Sequence, residues 1–89
     1  MMKIEITNKF RKQVDKSADR STKKKLFVLI QQTQKANNLS DLPKLKKLKG
    51  FPHTYRFRMG DYRIGVYIQN DTIVFAAFDH RSDIYKYFP

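Results

Sequence analysis

The sequence predicts a small α+β domain in which a curved antiparallel sheet of about four strands packs on an N-terminal helical hairpin. Apolar residues recur at helical spacing between residues 10 and 33 and alternate at strand spacing after residue 54. A chain of 89 residues that is 40% hydrophobic can bury one core, so we expect a single domain over residues 1–89.

The first part of the chain is predicted to form a short strand and two helices. Residues 2–6 alternate as in a strand, and Asn8 is a candidate N-cap for the first helix. The second helix is expected from about residue 21 to 36. The polar stretch KSADR predicts a break between the helices, and one kinked helix is the alternative. The apolar positions are Phe10, Val14 and Ala18 in the first helix and Leu26, Leu29, Ile30 and Thr33 in the second, whose apolar face Phe27 and Val28 widen.

The linker NNLSDLPKLKKLKGF, residues 37–51, is predicted to form a solvated helical turn or loop. Pro43 can start such a turn and Gly50 can end it. Lys46, Lys47 and Lys49 are expected to stay exposed, where they attract a polyanion. The apolar side of this turn would be formed by Leu42, Leu45 and Leu48, at three-residue spacing.

Three strands are predicted at residues 54–59, 62–69 and 72–79, joined by the two-residue turns Gly60-Asp61 and Asn70-Asp71. Counting outward from these turns pairs 58 with 63, 65 with 76 and 63 with 78. Alternation then gives an apolar face for the helices to cover. The opposite face would carry Arg56, Arg58, Arg63, Gly65, Tyr67, Val74, Ala76 and Phe78.

This second face is unfavourable for folding alone. Arg58 would lie across from Arg63, and like charges so placed cost roughly 0.2–1 kcal/mol. Gly65 beside Ala76 would leave a shallow floor for a backbone or nucleotide, with Tyr67 and Phe78 as stacking platforms. We interpret the face as an anion-binding surface. The alternative is an ordinary exposed strand face on which arginine stems cover apolar surface.

The charge balance favours a polyanionic partner: nucleic acid, an acidic protein or an anionic membrane surface. Nineteen Lys and Arg face eight Asp and Glu, for a net charge of +11. Lysines dominate residues 1–49, with twelve against two arginines, whereas residues 50–89 hold four arginines and one lysine. Lysine suits a diffuse field, whereas arginine can grip a phosphate with two hydrogen bonds.

Other function classes lack support in the sequence. There is no Cys, which fits a reducing cytoplasm and leaves no thiolate metal site. His53 and His80 stand alone, so we expect no metal and no cofactor. No apolar run is long enough for a membrane span. After Arg81, Ser82 or Asp83 is expected to cap a short terminal helix that carries Ile84, Tyr85 and Phe88.

The hairpin YRFRMGDYRIGVY and the ending HRSDIY together resemble the RelE/ParE toxin superfamily, and its RelE-like branch in particular. The resemblance implies a type II toxin with a cognate acidic antitoxin. It also implies cleavage of mRNA on the ribosome without a metal, by attack of the RNA 2′-OH on the adjacent phosphate.

The resemblance carries roles onto single residues of this chain. Arg63 and Arg81 would hold the scissile phosphate, and Arg58 would help to neutralise it. The general base would be Tyr85 or His80, since arginine is a poor proton shuttle. Some RelE-like members carry lysines where this chain has Arg56 and Arg58. The RNA-binding set would comprise Arg56, Tyr67, Phe78, Lys46, Lys47 and Lys49.

Two alternatives remain open on the sequence. One is a ParE-like toxin that inhibits gyrase by binding. The other is a basic RNA-binding module without catalysis, in which substitution of Tyr85 or His80 would change affinity and abolish no turnover.

Overall fold

The structure, a computed structural model, describes residues 1–42 and 44–89 and shows two helices beside a five-stranded sheet. Pro43, predicted to start a turn, lies outside the described residues. The elements in chain order are β1 (Lys3–Ile6), α1 (Asn8–Ser17), α2 (Arg20–Lys35), a 3₁₀ turn (Leu39–Asp41), β2 (Leu45–Lys47), β3 (Thr54–Met59), β4 (Tyr62–Gln69), β5 (Thr72–His80) and a terminal 3₁₀ turn (Ile84–Lys86).

Both helices begin at a side-chain cap. Thr7, one residue before the predicted Asn8, caps α1 because its Oγ1 accepts the Phe10 N–H at 3.1 Å. Asp19 caps α2 by accepting the Thr22 N–H at 2.7 Å. The break predicted at KSADR is confirmed, and the kinked single helix is not formed. In the described part of the chain, no helix is both long and apolar enough to cross a membrane.

The sheet has the order β1-β5-β4-β3-β2 and is mixed. The two predicted hairpins are confirmed, with Met59 opposite Tyr62 and Gln69 opposite Thr72. The expectation of about four antiparallel strands is corrected on two points, since β2 adds a fifth strand and β1 runs parallel to β5. A tight turn dictates an antiparallel pair, but β1 reaches β5 only after both helices, so no local signal sets its direction.

The linker forms a strand where a helical turn was expected. β2 pairs with β3, and two leucines here diverge: Leu45, the first residue of β2, packs against the helix-covered core, while Leu48, just after β2, packs on the other side of the sheet. A helical seam would keep both leucines on one side. Three-residue spacing was therefore misleading, because the segment is extended by pairing with a distant strand.

A β-bulge corrects the predicted faces of β5. Gly65 pairs with Ala77 and Val66 with Phe75, so Ala76 is an extra residue in the ladder. Every side chain after the bulge changes face relative to unbroken counting. Phe78 therefore lies in the main core with no exposed surface, instead of on the face predicted to stack bases.

The main core lies between the helices and one face of the sheet. Phe10 of α1 meets Phe75 and Phe78 edge to face, with ring centroids 5.6 and 6.2 Å apart. Phe27 and Val28 of α2 do not widen this contact as expected, because they are 61% and 50% exposed. A second, smaller cluster lies on the other face of the sheet and consists of Leu48, Ala76, Ala77, Ile84 and Phe88.

Candidate functional site

The sheet face turned away from α1 and α2 collects positive side chains, and we call it the basic face: Lys46, Arg56, Arg58 and Arg63. Lys46 of β2 pairs with Arg56 of β3, which pairs with Gly65 of β4. Arg58 lies directly opposite Arg63, as predicted. Because directly paired residues project to the same side of a sheet, cations from three strands lie side by side on this face.

Arg63 lies at the centre of this repulsion. Its Nη1 donates to the carbonyl oxygens of Gly60 and Tyr62, each at 2.9 Å, so the turn orients the guanidinium. Desolvation, followed by the charges of Arg58 and Arg56, lowers the pKa of Arg63. A bound anion would relieve the repulsion among these side chains, so the site suits a phosphate.

Arg81 and Tyr85 complete the cluster from the chain beyond β5. The Arg81 backbone N–H donates to the Asp61 carbonyl at 2.8 Å, and its Nε lies 3.9 Å from Asp61 Oδ1. Tyr85 lies in the terminal turn and is half exposed. The charges of both residues influence the pKa of Arg63, which Tyr85 raises and Arg81 lowers. The structure thus brings together four sequence-predicted arginines, Arg56, Arg58, Arg63 and Arg81, with Tyr85.

His80 is turned away from this cluster. It pairs with Tyr62, so its ring lies on the helix side of the sheet. The centroids of the His80 and Tyr62 rings are 6.1 Å apart. Its Nδ1 lies 2.8 Å from Ser82 Oγ. Of the two candidate bases, only Tyr85 is near Arg63. The bulge is the cause, because without Ala76 as an extra residue His80 would face the arginines.

The lysines of the linker separate by face. Lys46 joins the basic face, whereas Lys47 pairs with Tyr55 and projects to the opposite side. Lys49 lies in the turn that follows β2. All three are exposed, as expected, but only Lys46 shares a row with an arginine.

The floor predicted at Gly65 is filled by the protein itself. A Cβ at Gly65 would lie closer than 3.0 Å to three atoms of the Phe88 ring, so that ring lies directly on the glycine backbone. Tyr67 stays 40% exposed and packs against the ring of Phe88 at 5.3 Å and 53°. Of the two aromatic residues predicted to stack bases, Tyr67 is therefore the one left open to solvent.

Asp79 is a member of the site that the sequence reasoning missed. The bulge places it opposite Arg63, and its Oδ2 accepts the Tyr87 hydroxyl at 3.0 Å. A signal for this was present: Phe75 and Phe78 are three residues apart, and two core aromatics at that spacing require an extra residue in the strand. Asp79 supplies one negative charge beside the arginines.

Tyr87 fastens the terminal segment and was also missed. Its hydroxyl accepts from Gln13 Nε2, and Lys9 Nζ lies 4.4 Å from the ring centroid. Desolvation, together with the hydrogen bond to Asp79, raises the pKa of Tyr87 to about 12. The phenol is therefore neutral at physiological pH and acts as a hydrogen-bonding clamp.

Comparison with known proteins adds to this geometry. Residues 4–85 match the family described as the ParE toxin of type II toxin–antitoxin systems, parDE. The chain is 44% identical over 68 residues to Toxin RelE3 of Methanocaldococcus jannaschii, covering 75% of this chain and 77% of that protein.

Solved structures show the same fold. The RelB-RelE antitoxin–toxin complex from Methanococcus jannaschii matches with a TM-score of 0.78 and 37% identity, over 96% of this chain and 99% of that one. The intact RelBE toxin–antitoxin complex of E. coli matches with a TM-score of 0.71 and 11% identity, over 90% of this chain and 96% of that one, which supports the fold alone.

Proposed function

The chain belongs to the RelE/ParE superfamily of type II toxins, and we propose that it is a ribosome-dependent mRNA endoribonuclease. The observation that carries this proposal is the meeting of Arg58, Arg63 and Arg81 with Tyr85 on the basic face. Transesterification of RNA without a metal needs a general base and groups that stabilise the phosphate charge, and a phenol beside anion-binding arginines can supply both.

The proposed reaction begins at the RNA 2′-OH. Tyr85, as the phenolate, takes the proton, and the 2′ oxygen attacks the adjacent phosphorus. The bond from phosphorus to the 5′ oxygen breaks, and the departing oxygen takes a proton from solvent water, which leaves a 2′,3′-cyclic phosphate and a 5′-hydroxyl end. Arg63 and Arg81 would hold the phosphate while Arg58 neutralises its developing charge.

The test is cell-free translation followed by primer extension, with Arg63→Ala as the main variant. Wild-type protein should produce new mRNA 5′ ends at stalled codons. Loss of one charge-stabilising donor typically lowers the rate by about 10²–10³-fold. Arg63→Lys keeps the charge but loses the fork, so its rate should fall between those of wild type and Arg63→Ala.

Arg20→Ala is the matched control, because it removes the same charge from the start of α2, away from the basic face. Its single-turnover rate on stalled ribosomes should equal that of wild type. Absence of cleavage by folded wild-type protein would refute the nuclease proposal. A normal rate in Arg63→Ala would reduce the arginines to a docking surface.

A ParE-like gyrase inhibitor is the second candidate, because the family that residues 4–85 match is described as the ParE toxin. Under that function the basic face would bind a protein or DNA surface and cleave nothing. A gyrase supercoiling assay separates the two: inhibition without any mRNA cleavage would replace the nuclease proposal.

The proposed partner is a cognate acidic antitoxin. The relative from Methanococcus jannaschii is a toxin in complex with its RelB antitoxin, and this chain has eleven surplus positive charges for an acidic segment to neutralise. Such a segment would wrap the surface and fold on binding. We also propose a cytoplasmic location, because the proposed ribosomal target lies there. Co-expression with the neighbouring reading frame should yield a stable complex, and tolerance of active toxin alone would contradict it.

A further inference from the structure

The C-terminal segment crosses the basic face and is held there from two sides. Ile84 has no exposed surface and Phe88 has 4%, and both pack on the small cluster with Ala77 and Leu48. The Phe88 N–H donates to the Ile84 carbonyl at 2.9 Å, which places the two side chains on one side of the turn. Tyr85 belongs to this turn and is half exposed.

The Phe88 ring packs directly on Gly65, which is two residues from Arg63 on the same strand and face. Gly65 is not among the residues with positive φ, so its backbone conformation does not require glycine. Space requires it, because any Cβ would overlap the ring. Glycine inside a strand costs about 0.5–1 kcal/mol, and close approach of the ring explains why it stands here.

The second fastening lies on the neighbouring strand. Tyr87 donates to Asp79, which is directly opposite Arg63. The tail is thus attached to β4 at Gly65 and to β5 at Asp79. Gly65 is two residues from Arg63 along β4, and Asp79 is paired with Arg63 across the sheet. Tyr85 precedes Tyr87 by two residues and Phe88 by three, so these attachments confine it to the neighbourhood of that arginine.

We propose that Phe88 is a positioning residue whose ring, seated on Gly65, holds the terminal turn so that Tyr85 stays beside Arg63. This inference rests on the proposed nuclease function, in which Tyr85 is the general base. A base contributes to a rate only when it is held within hydrogen-bond reach of the proton it removes. The ring of Phe88 itself touches no reacting atom.

The test compares Phe88→Ala and Gly65→Ala, which disturb the contact from its two sides. Each should lower single-turnover cleavage on stalled ribosomes by roughly 10²-fold, the usual contribution of a general base. Ribosome affinity should stay at the wild-type level, because the arginines are intact. Phe88→Leu retains an apolar side chain over Gly65 and should fall between wild type and Phe88→Ala.

Two double variants distinguish positioning from general damage. Tyr85→Phe combined with Phe88→Ala should be no slower than Tyr85→Phe alone, since both remove the same function. Gly65→Ala combined with Phe88→Ala should be no slower than either single variant, because the new methyl group occupies the space that the ring leaves. Additive losses in either pair would overturn the inference.

Hydrogen exchange supplies a readout that does not depend on cleavage. The amides of Lys86, Tyr87 and Phe88 are bonded within the turn, so Phe88→Ala and Gly65→Ala should accelerate their exchange while β3–β5 stay protected. Phe27→Ala is the matched control, since it removes the same side chain from an exposed site on α2 and should change neither rate.

The outcomes separate the two proposals. If wild-type protein cleaves no mRNA, the proposed function fails and this inference falls with it. If wild type cleaves and Phe88→Ala cleaves equally fast although its tail amides are released, the nuclease stands and the positioning role is wrong.

Discussion

Among the residues that the structure describes, eleven buried side chains fill the space between the helices and one face of the sheet, whereas three are buried under the tail on the other face. The helix side contains the large aromatic contacts. The tail side contains like-charged arginines, a glycine in mid-strand and a thin apolar cluster. The difference indicates that one face supplies most of the stability, while the other contains unfavourable contacts, which fits the anion-binding role proposed for it.

The largest expected effect compares a substitution on each face. Phe75→Ala removes a ring with no exposed surface that contacts Phe10 and Phe57, and should cost about 3–5 kcal/mol. Leu48→Ala trims the partly buried rim of the small cluster and should cost only about 1 kcal/mol. Urea unfolding followed by circular dichroism measures both, and equal losses would contradict the division of roles between the faces.

The clamp at Tyr87 should make stability depend on alkaline pH. Its pKa is raised from the usual tyrosine value of 10.0 to about 12, so the stabilisation is complete below pH 10 and is lost as pH rises through 12. Tyr87→Phe should lower the unfolding free energy by about 1 kcal/mol at neutral pH. The difference between wild type and variant should shrink between pH 10 and 12. An unchanged difference in unfolding free energy between wild type and Tyr87→Phe across that pH window would show that ionisation of Tyr87 does not weaken the clamp.

Arg58→Ala should act in opposite directions on stability and function. It removes the charge opposite Arg63 and should stabilise the fold by about 0.2–1 kcal/mol, and added salt should reduce this gain. The same change should slow mRNA cleavage, because one neutralising cation is lost. Thermal unfolding in low and high salt measures the first effect. A destabilised variant would mean that Arg58 makes a favourable contact on this face.

The smallest expected effect separates two neighbouring lysines. Lys46 lies on the basic face and Lys47 on the other, so Lys46→Ala should flatten the log–log salt dependence of RNA binding by about 0.7 per lost phosphate contact. Lys47→Ala should change it less. Cleavage of bound mRNA should be unaffected in both. Equal slopes for the two variants would indicate a diffuse field from all lysines of residues 9–49, without a preferred face.

The sequence alone determined the parts that depend on local signals. Turn residues at 60–61 and 70–71 set two hairpins, and with them the pairing of Arg58 with Arg63. Apolar spacing and the break at KSADR determined the helices. The motifs that contain these arginines and Tyr85 indicated the family. Each motif lies within one element or across a tight turn, so the spacing of its residues can be read from the sequence.

Only the tertiary structure decided which distant residues meet. The extra residue Ala76 moved Phe78 into the core and brought Asp79 opposite Arg63, and pairing with β3 made a strand of residues 45–47. The seat of Phe88 on Gly65 joins residues 23 positions apart in the chain. Such contacts depend on how whole elements pack and on where a ladder slips by one residue, and neither is encoded in the periodicity of a single segment.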